Sequence, residues 1–409
     1  MARPPLMPVA DALARITGAL QPLAPESVSV AEAYGRVLAE NVVARVTQPP
    51  AAVSAMDGYA VRSADVATVP TNLRVIGEAP AGAAFEGTCG PGDAVRIFTG
   101  APVPVGADAI VIQENTRREG DAVSVTEGAA AGRHIRPAGL DFTTGDMRLA
   151  KGRMLTARDI GLAAAMNVPW LMVTRKPRIA LLATGDEIVK PGDSLGPNQI
   201  VSSNALALAA LIQARGGEPI DLGIAPDNRA TLAAMADGAR GADMLITLGG
   251  ASVGDHDLVQ SALGEQGLEV NFWRIAMRPG KPLMFGAIGE TPMLGLPGNP
   301  VSSLVCGLVF VSAAIHKMLG RGGDYLETDT ARLGSNLPEN DERQDYLRAT
   351  LTRADDGALV AAPFYKQDSS MLTRLAAAQA LVIRPPYATA AREGTVVPIV
   401  RIEVANQGL

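Results

Sequence analysis

Loops with residues that could bind a ligand follow apolar, strand-like runs at four places in the middle of this 409-residue chain. Each run ends in a loop rich in glycine or acidic residues, and a helix is expected after the loop. The four segments cover residues 179–187, 220–227, 244–255 and 293–302. The acidic residues that these loops carry are Asp186, Glu187, Asp227, Asp255 and Asp257. No other part of the sequence places so many chemically useful groups at comparable positions.

The position of these loops predicts the kind of ligand. In a parallel sheet, the loops that follow the strands gather at one edge, where ligands bind. Glycine lets the backbone approach a ligand closely, and the N–H groups at helix N-termini attract anions. Carboxylate oxygens are the ligands that hard divalent cations prefer. The pattern therefore predicts a phosphorylated substrate that is bridged by a cation such as Mg²⁺.

Three of the loops differ in how strongly their residues indicate a particular kind of ligand site. Residues 183–187 combine Thr, Gly and two acids at a strand end, which suits phosphate and cation together; a capped helix start is the alternative. Residues 295–302 place a proline near a helix start, which favours an anion site. Residues 248–254 have the spacing of neither a Walker A loop nor a dinucleotide-binding loop, which disfavours standard ATPase and NAD sites.

Outside these loops, four residues are candidates for ligand contacts. Lys281 lies in a Pro-Gly-Lys-Pro turn beside Arg278, where two cations could neutralise phosphates; a surface turn is the alternative. Asp57 precedes Gly58 in a segment that an Asx turn would explain equally well, and Thr99 begins a proline-stiffened loop.

Composition excludes several functional classes. The formal net charge of −6 disfavours a nucleic-acid-binding protein. Cys89 and Cys306 form no CxxC pattern, and the three histidines lie far apart, which disfavours a zinc site or a histidine-based triad. The N-terminus lacks an apolar signal segment, and the longest apolar stretch, 301–315, is too short to span a bilayer. A cytoplasmic protein without membrane contact is expected.

Periodicity predicts a multidomain α/β plus β protein. An amphipathic helix is expected over residues 7–20, and short alternating strands over 48–141 are typical of a small β module. Strands and helices then alternate to about residue 319, which predicts a parallel sheet. The helices of this part are expected at 203–215, 229–239, 257–266 and 300–319. Strand patterning returns afterwards and predicts a C-terminal β-barrel or sandwich.

Seven segments of the chain carry a resemblance to one family. They are SAMDGYAV, RIFTGAPVPVGADAIV, LLATGDEIV, NQIVSSN, LGGASVGDHD, MRPGKPLMFG and LGLPGNPVSS. In this order they resemble the molybdopterin molybdenumtransferases, which are the bacterial MoeA proteins and the E domain of gephyrin. The resemblance covers essentially the whole chain, and seven motifs in order are very specific.

The resemblance implies an elongated dimer of four-domain subunits. Domain I would be discontinuous, with residues 1–46 and 145–174, and domain II would be the inserted β module, 47–144. Domain III, 175–322, would be the α/β molybdopterin-binding domain, and domain IV, 323–409, a β-barrel. Domain II of one subunit would face domain III of the other, so that a complete site requires the homodimer.

The resemblance also implies the reaction and its partners. Adenylylated molybdopterin and molybdate would bind as substrates with Mg²⁺ as cofactor, molybdenum would enter the dithiolene, and AMP would be released. The product would be molybdenum cofactor. The adenylyltransferase that acts before this step and the molybdoenzymes that receive the cofactor would be candidate protein partners.

Residue roles are implied motif by motif. The catalytic candidates are Asp57, Thr99, Glu187 and Asp257, and the candidate metal ligands are Glu187, Asp227 and Asp257. The candidate substrate-binding residues are Arg136, Asp141, Thr184, Gly185, Asp227, Gly249, Gly250, Ser252, Arg278, Lys281, Pro297, Gly298, Pro300, Ser369 and Ser370. Arg278 and Lys281 would hold molybdate or phosphate, and Pro297 and Pro300 would shape the pterin loop.

Three positions depart from the family's usual pattern, and two other functions compete. Arg278 stands where Lys is common, Ala251 where Gly is frequent and Ser202 where Asp is common. Arginine keeps the charge but presents a fork rather than a point charge. The competing functions are a peptide-binding scaffold, as in the gephyrin E domain, and a nucleotide hydrolase or deamidase that reuses the same α/β domain.

Overall fold

The structure is a computed structural model that describes residues 6–250 and 258–402. The first part of the chain contains two helices and twelve strands. They are α1 (Val9–Gly18), β1 (Pro25–Ser29), β2 (Val42–Val43), β3 (Val53–Ser54), β4 (Gly58–Val61), β5 (Thr71–Ala79), β6 (Asp93–Ile97), β7 (Ala109–Ile112), β8 (Thr116–Glu119), β9 (Ala122–Val125), β10 (Ile135–Arg136), β11 (Met147–Leu149), α2 (Ala157–Ala165) and β12 (Trp170–Thr174).

Strand pairing joins the chain before the β module to the chain after it. β1 pairs with β12 and β2 pairs with β11, both antiparallel. One apolar cluster, which includes Leu38, Phe142 and Leu171, packs these segments together. Helix α1 instead buries Val9 and Ile16 in the core of the α/β region. The bounds of the four domains stay a prediction.

The β module is built on a six-stranded sheet with the order β7-β4-β6-β5-β9-β8. Only the β5–β6 pair is parallel within this sheet. Apolar side chains cover both of its faces, Tyr59 and Val111 on one and Val95 and Ile110 on the other. β4 therefore lies between two strands, which fixes the segment that begins directly after Asp57.

The α/β region follows. Its elements are β13 (Arg178–Thr184), β14 (Ile188–Val189), β15 (Ile200–Val201), α3 (Asn204–Ala214), β16 (Glu218–Ala225), α4 (Arg229–Ala236), β17 (Met244–Leu248), α5 (Leu258–Gly264), β18 (Leu268–Trp273), β19 (Met277–Arg278), β20 (Met284–Ile288), β21 (Thr291–Leu296), α6 (Pro300–Cys306) and α7 (Ser312–Met318). The sheet order is β16-β13-β17-β21-β20-β18. β16, β13, β17 and β21 run parallel, whereas β20 and β18 are antiparallel to their neighbours.

Periodicity predicts a parallel sheet. In the structure, the edge of this sheet formed by β20 and β18 is antiparallel. β20 and β21 are joined by only Gly289 and Glu290, and a two-residue turn can connect only antiparallel strands. The path after β13 also differs from the expected direct entry into a helix. The chain first forms a small parallel pair, β14–β15, and only then enters α3.

The helical run Pro300–Met318 is longer than the apolar stretch 301–315. It has 19 residues and is long and apolar enough, by length and composition alone, to cross a membrane, so the expectation that length excludes a span is wrong for the whole helical run. In the structure, 83% of its most apolar 18-residue window is buried inside the protein. Val305, Phe310 and Ile315 belong to the main core, so the run is an interior helix.

The C-terminal region is a closed five-stranded barrel with a short helix. Its elements are β22 (Thr328–Leu333), β23 (Gln344–Arg353), β24 (Leu359–Pro363), α8 (Leu372–Ala376), β25 (Ala380–Arg384) and β26 (Val396–Arg401). The ring runs β23-β24-β22-β26-β25 and closes through the β23–β25 pair. Leu333, Ala361, Val382 and Ile399 fill its interior. The barrel is therefore the correct choice between the two expected forms.

Candidate functional site

The carboxyl ends of β13, β16, β17 and β21 surround a cleft of about 600 Å³. We call it the strand-end cleft. Its lining residues are Thr184, Gly185, Glu187, Ile188, Ile200, Asp227, Gly249, Gly250, Leu258, Pro282, Pro297, Gly298 and Asn299. Loops after all four parallel strands contribute, as expected for a ligand site at this edge of a sheet. Eight of the residues that the sequence analysis names for substrate or metal are in this set.

The glycines after β17 bring backbone segments together at the floor of the cleft. Both have left-handed φ, +92° at Gly249 and +67° at Gly250. A Cβ at Gly249 would lie 2.9 Å from the Thr184 carbonyl oxygen, and one at Gly250 would lie 2.4 Å from Cγ2 of Val259. Any larger side chain would therefore collide with a neighbouring segment, and the floor stays as bare backbone that a ligand can approach.

The β14–β15 pair holds Glu187 at the rim. The N–H group of Ile200 donates to the Glu187 carbonyl at 2.7 Å. The Glu187 carboxylate lies over Gly185, where a Cβ would come within 2.5 Å of Oε2. Thr184 is nearly fully buried, and its hydroxyl donates to the Leu248 carbonyl at 3.4 Å. The Thr184 hydroxyl therefore links β13 to β17. The Glu187 side chain is the acidic group of this loop that lines the cleft.

Three carboxylates from two loops crowd the same rim. The N–H group of Asp227 donates to Oδ1 of Asp186 at 3.0 Å. Burial raises the pKa of Asp227, and the negative charges of Asp186 and Glu187 raise it further. A cation or a proton bound here would relieve this repulsion.

The described residues do not complete a metal site. Within 6–250 and 258–402, no group of three or more His, Cys, Asp or Glu side chains is arranged to hold a metal ion. Asp257, the third metal ligand that the resemblance implies, lies outside the described residues, as do Ser252 and Asp255. Glu187 and Asp227 thus supply oxygen ligands of the kind Mg²⁺ prefers, but too few to define a coordination sphere.

The loop after β21 is held from two sides. The side-chain amide of Asn204 donates to the Gly298 carbonyl at 2.7 Å, which ties the loop to the start of α3. The N–H group of Val301 donates to the Ser369 carbonyl at 3.1 Å, and Pro300 has no N–H group. The barrel loop therefore closes part of the helix start that favoured an anion site, and it brings Ser369 beside Pro300.

Ser370 faces its own loop. Its N–H group and its hydroxyl both donate to Oδ1 of Asp368, at 2.9 and 2.6 Å. The hydrogen bonds from Ser370 lower the pKa of Asp368. This Asx turn shapes the loop that reaches α6, and the Ser370 hydroxyl is engaged within it.

Asp57 and Thr99 form a second constellation in the β module. The N–H group and the hydroxyl of Thr99 both donate to Oδ1 of Asp57, at 2.7 and 2.8 Å. These two hydrogen bonds lower the pKa of Asp57 most, and the charge of Arg96 lowers it by less than burial raises it. Thr99 thus keeps Asp57 ionised.

Arg136 lies in the same module as this pair. β10 pairs with β3, in the register Arg136 opposite Val53, directly before the Asp57 loop. The Arg136 side chain is exposed and makes no ion pair with any described residue. Asp141 is also exposed, and its carbonyl accepts from Arg148. A basic side chain therefore stands near the Asp57 loop.

The two predicted anion-binding cations separate in the structure. The guanidinium of Arg278 forms ion pairs with Asp341 and Asp345 of the barrel and lines a different cleft of about 560 Å³. Lys281 precedes Pro282, which lines the strand-end cleft, and it makes no ion pair within the described part of the chain. Lys281 is thus the better placed of the two to meet an anion, because the charge of Arg278 is already paired.

Among the described residues, the predicted site residues therefore fall into separate groups that do not line one cleft. All lining residues of the strand-end cleft that the structure describes come from 184–299, and Asp57, Thr99, Arg136 and Asp141 lie in the β module. Ser369 reaches the edge of the α6 start from the barrel.

Three residues that hydrogen-bond to the loops of the candidate site have no role in the sequence-based predictions. They are Asn204, Arg96 and Gln113. Asn204 and Arg96 lie within motifs that carry the resemblance, so their presence in a shared motif was the available signal. Gln113 follows its strand without any pattern that marks it.

Three family models match the chain in order. The MoeA N-terminal region (domain I and II) matches residues 7–167, the probable molybdopterin binding domain matches 180–317, and the MoeA C-terminal region (domain IV) matches 330–402. Together the three models leave only short stretches of the chain unmatched.

Full-length relatives support the same family. The molybdopterin molybdenumtransferase of Nostoc sp. is 36% identical over 389 residues, which are 93% of this chain and 89% of that protein. The molybdopterin molybdenumtransferase of Bacillus subtilis is 32% identical over 409 residues, 98% of this chain and 95% of that protein. The crystal structure of the molybdopterin biosynthesis MoeA protein from Pyrococcus horikoshii aligns with a TM-score of 0.85 at 28% identity, over 97% of this chain and 100% of that one.

Proposed function

Because the chain belongs to the family of the molybdopterin molybdenumtransferases, we propose that it inserts molybdenum from molybdate into adenylylated molybdopterin and releases AMP. Membership makes the protein a transferase of molybdenum cofactor biosynthesis. The adenylylated form of the substrate, the release of AMP and a requirement for Mg²⁺ belong to the proposal.

The strand-end cleft is the observation that carries the proposal. Its volume of about 600 Å³ suits a small organic ligand, for which pockets usually measure about 300–1,000 Å³. The bare backbone at Gly249 and Gly250 permits close contact with phosphate oxygens, and Pro297 and Gly298 form the facing wall. We therefore assign the pterin and its phosphates to this cleft, with Lys281 at its edge as the group that attracts molybdate.

Metal binding fits the residues in kind. Burial raises the pKa of Asp227, and the negative charges of Asp186 and Glu187 raise it further. A bound cation would stabilise the ionised carboxylates in such an environment. Glu187 and Asp227 would hold Mg²⁺ together with Asp257. When bound, the ion would neutralise negative charge on the phosphates.

The chain's own residues would bind and orient the two substrates. Asp57 remains ionised because Thr99 donates two hydrogen bonds to it, so its second oxygen can accept a hydrogen bond from a substrate. Arg136 would attract the anionic substrate toward Asp57. Because the cleft and the Asp57 loop belong to different parts of the chain, we propose that the working unit is a homodimer in which the β module of one subunit completes the cleft of the other.

A reconstitution assay tests the function. The purified protein is incubated with adenylylated molybdopterin, with molybdate or tungstate, and with or without Mg²⁺. AMP release and activation of an apo-molybdoenzyme are measured. We expect both to require the oxyanion and Mg²⁺.

The matched variants are Glu187→Gln, in the cleft, and Glu290→Gln, in the exposed turn at the opposite end of β21. Glu187→Gln should abolish metal insertion, whereas Glu290→Gln should retain wild-type activity. Wild-type protein that releases no AMP, but binds a peptide or hydrolyses a free nucleotide, would show that one of the competing functions is correct.

A further inference from the structure

Arg96 occupies an unusual position beneath the Asp57–Thr99 pair. It lies in β6, and its guanidinium packs against two aromatic rings, with centroids 5.3 Å away at Tyr59 and 4.8 Å away at Phe98. Stacking of this kind restricts the orientation of the guanidinium plane. The side chain is therefore held rigidly enough to position other groups.

The hydrogen bonds of Arg96 act on the backbone that carries Asp57. Nη1 donates to the Gly58 carbonyl at 3.0 Å, and Nη2 donates to Oε1 of Gln113 at 2.9 Å. The N–H group of Gln113 in turn donates to the Asp57 carbonyl at 3.1 Å. The consecutive carbonyls of Asp57 and Gly58 are thus held by one connected set of hydrogen bonds.

Gly58 removes the remaining freedom of this segment. A Cβ at this position would lie 2.0 Å from the Val111 carbonyl oxygen, so only glycine fits where β4 packs against β7. The same strand pairs with β6 on its other side. The backbone of Asp57 therefore cannot move without disrupting Arg96, Gln113 or the sheet.

We infer that Arg96 and Gln113 are positioning residues that fix the Asp57 carboxylate for the transfer reaction. The inference rests on the proposed function, in which Asp57 meets the substrate. Neither residue needs to contact the substrate: Arg96 acts through the Gly58 carbonyl, and Gln113 through Arg96 and the Asp57 carbonyl. Arg96 has the additional effect of placing a positive charge near the carboxylate.

This charge has a consequence for pH dependence. Two neutral residues, Thr99 and Gln113, hydrogen-bond to Asp57, and Arg96 is the charged residue that lowers its pKa. The other basic side chain near the Asp57 loop is Arg136 on β10, which both the wild type and the variants below retain. Hydrogen bonds from Thr99 lower the pKa of Asp57 most, and Arg96 lowers it further. Removal of the Arg96 charge should therefore raise the pKa of Asp57 and move the acid limb of the activity profile to higher pH.

The first experiment compares Arg96→Gln and Arg96→Lys with Arg117→Gln, an exposed arginine on β8 of the same sheet. We expect Arg96→Gln to lower kcat at least tenfold, to leave KM for molybdate within twofold, and to shift the acid limb upward. Arg96→Lys keeps the charge but not the forked donor, so it should restore the pH profile and not kcat. Arg117→Gln should match wild type. An unchanged kcat and pH profile in Arg96→Gln would overturn the inference.

A second measurement separates this inference from the proposed function. Carboxyl NMR titration of Asp57 in wild type and Arg96→Gln needs no substrate, and we expect a higher pKa for Asp57 in the variant. An inactive wild type would refute the proposed function and the inferred role together. With an active wild type, equal Asp57 pKa values would refute the charge effect of Arg96, and an unchanged kcat in folded Arg96→Gln would refute the positioning role alone.

Gln113→Ala covers the case in which Arg96→Gln does not fold, because the Gln113 side chain is exposed. It removes one of the two acceptors of Arg96 and leaves the backbone bond to Asp57 in place. We expect kcat to fall, but by less than it falls in Arg96→Gln. Wild-type kcat in a folded Gln113→Ala variant would show that the connected set of bonds does not position Asp57.

Discussion

At the scale of single residues, close backbone approach distinguishes the strand-end cleft from an ordinary surface depression. Gly249 and Gly250 sit where any Cβ would strike Thr184 or Val259, so they cannot be replaced without moving a neighbouring segment. Glu187 and Asp227 bring negative charge to the same rim. The residues that shape the cleft and those that would do chemistry are thus interleaved in the same loops.

Gly250→Ala should destabilise the protein more than Gly241→Ala. Both glycines have left-handed φ, +67° and +82°, so each substitution costs about 1–2 kcal/mol of backbone strain. A Cβ at Gly241 meets nothing within 4 Å, whereas one at Gly250 lies 2.4 Å from Val259, which adds about 1–3 kcal/mol. Urea unfolding measures the difference, and pterin binding should be lost only in Gly250→Ala. Equal destabilisation by the two variants would contradict the packing argument.

Lys281→Ala should weaken molybdate binding, because Lys281 is the unpaired cation beside the cleft in the described chain. A tenfold rise in the molybdate concentration for half-maximal activity corresponds to about 1.4 kcal/mol, and excess molybdate should partly restore the rate. Lys151→Ala, at an exposed position in the first part of the chain, serves as the control. If Lys281 lies on a surface turn without contact to molybdate, Lys281→Ala should change neither the molybdate concentration for half-maximal activity nor the rate.

At the scale of elements, short segments place the site residues. The β14–β15 pair holds Glu187 at the rim, and Asn204 at the start of α3 holds the loop after β21. The barrel loop at Ser369 closes the start of α6. Each of these contacts is a hydrogen bond to a backbone carbonyl. The positions of the site residues therefore depend on the ends of strands and helices rather than on their interiors.

Helix α2 offers a test of such an element end. The Asp159 carboxylate accepts from the N–H group and the hydroxyl of Thr156, both at 2.9 Å, and pairs with Arg153 at 2.8 Å. Burial raises the pKa of Asp159, but the hydrogen bonds from Thr156 and Arg153 outweigh burial and lower it. The ionised carboxylate therefore stabilises the fold above the pKa of the unfolded chain, and this stability is lost as the pH falls through the lower, folded pKa.

Asp159→Asn should lower the free energy of unfolding by about 1–3 kcal/mol at pH 7, because it weakens hydrogen bonds to a charged group. The difference from wild type should shrink as the pH falls below about 4, where Asp159 begins to protonate in the unfolded chain. Urea unfolding at several pH values measures both effects. Asp355→Asn, in an exposed turn, is the control, and a wild-type/Asp159→Asn difference that does not depend on pH would contradict this account.

At the scale of the whole molecule, the candidate site residues belong to separate regions of the chain. The strand-end cleft lies in the α/β region, and the Asp57–Thr99 pair lies in a β module inserted between two paired segments. A two-fold symmetric pair of subunits produces two equivalent sites and can bring such separate groups together.

Mixing two inactive variants tests the shared site. Random subunit exchange between Asp57→Ala and Glu187→Ala should leave about half of the dimers mixed, and each mixed dimer would have one intact site and one doubly damaged site. The expected activity is therefore about a quarter of wild type per subunit. Absence of recovery, when subunit exchange has been demonstrated independently, would place each site within a single chain.

Much of the fold was predictable from the sequence because local patterns encode it. The helices expected at 203–215, 229–239 and 300–319 follow from local residue types and periodicity, and the structure has α3, α4 and the run from α6 to α7 in these places. The antiparallel edge of the central sheet was not predictable in the same way. Alternation of strands and helices says which segments are extended, whereas strand direction depends on the length of each connection.

The place of the cleft was also predictable from the sequence, because loops that follow parallel strands gather at one edge of the sheet; the chemistry expected there stays a prediction. The tertiary structure alone decided which predicted residues share a cleft. It pairs Arg278 with barrel carboxylates, leaves Lys281 beside the cleft and puts Arg96 beneath Asp57. Such outcomes depend on contacts between residues far apart in the chain, and residue type and spacing do not specify which partner a long charged side chain will find.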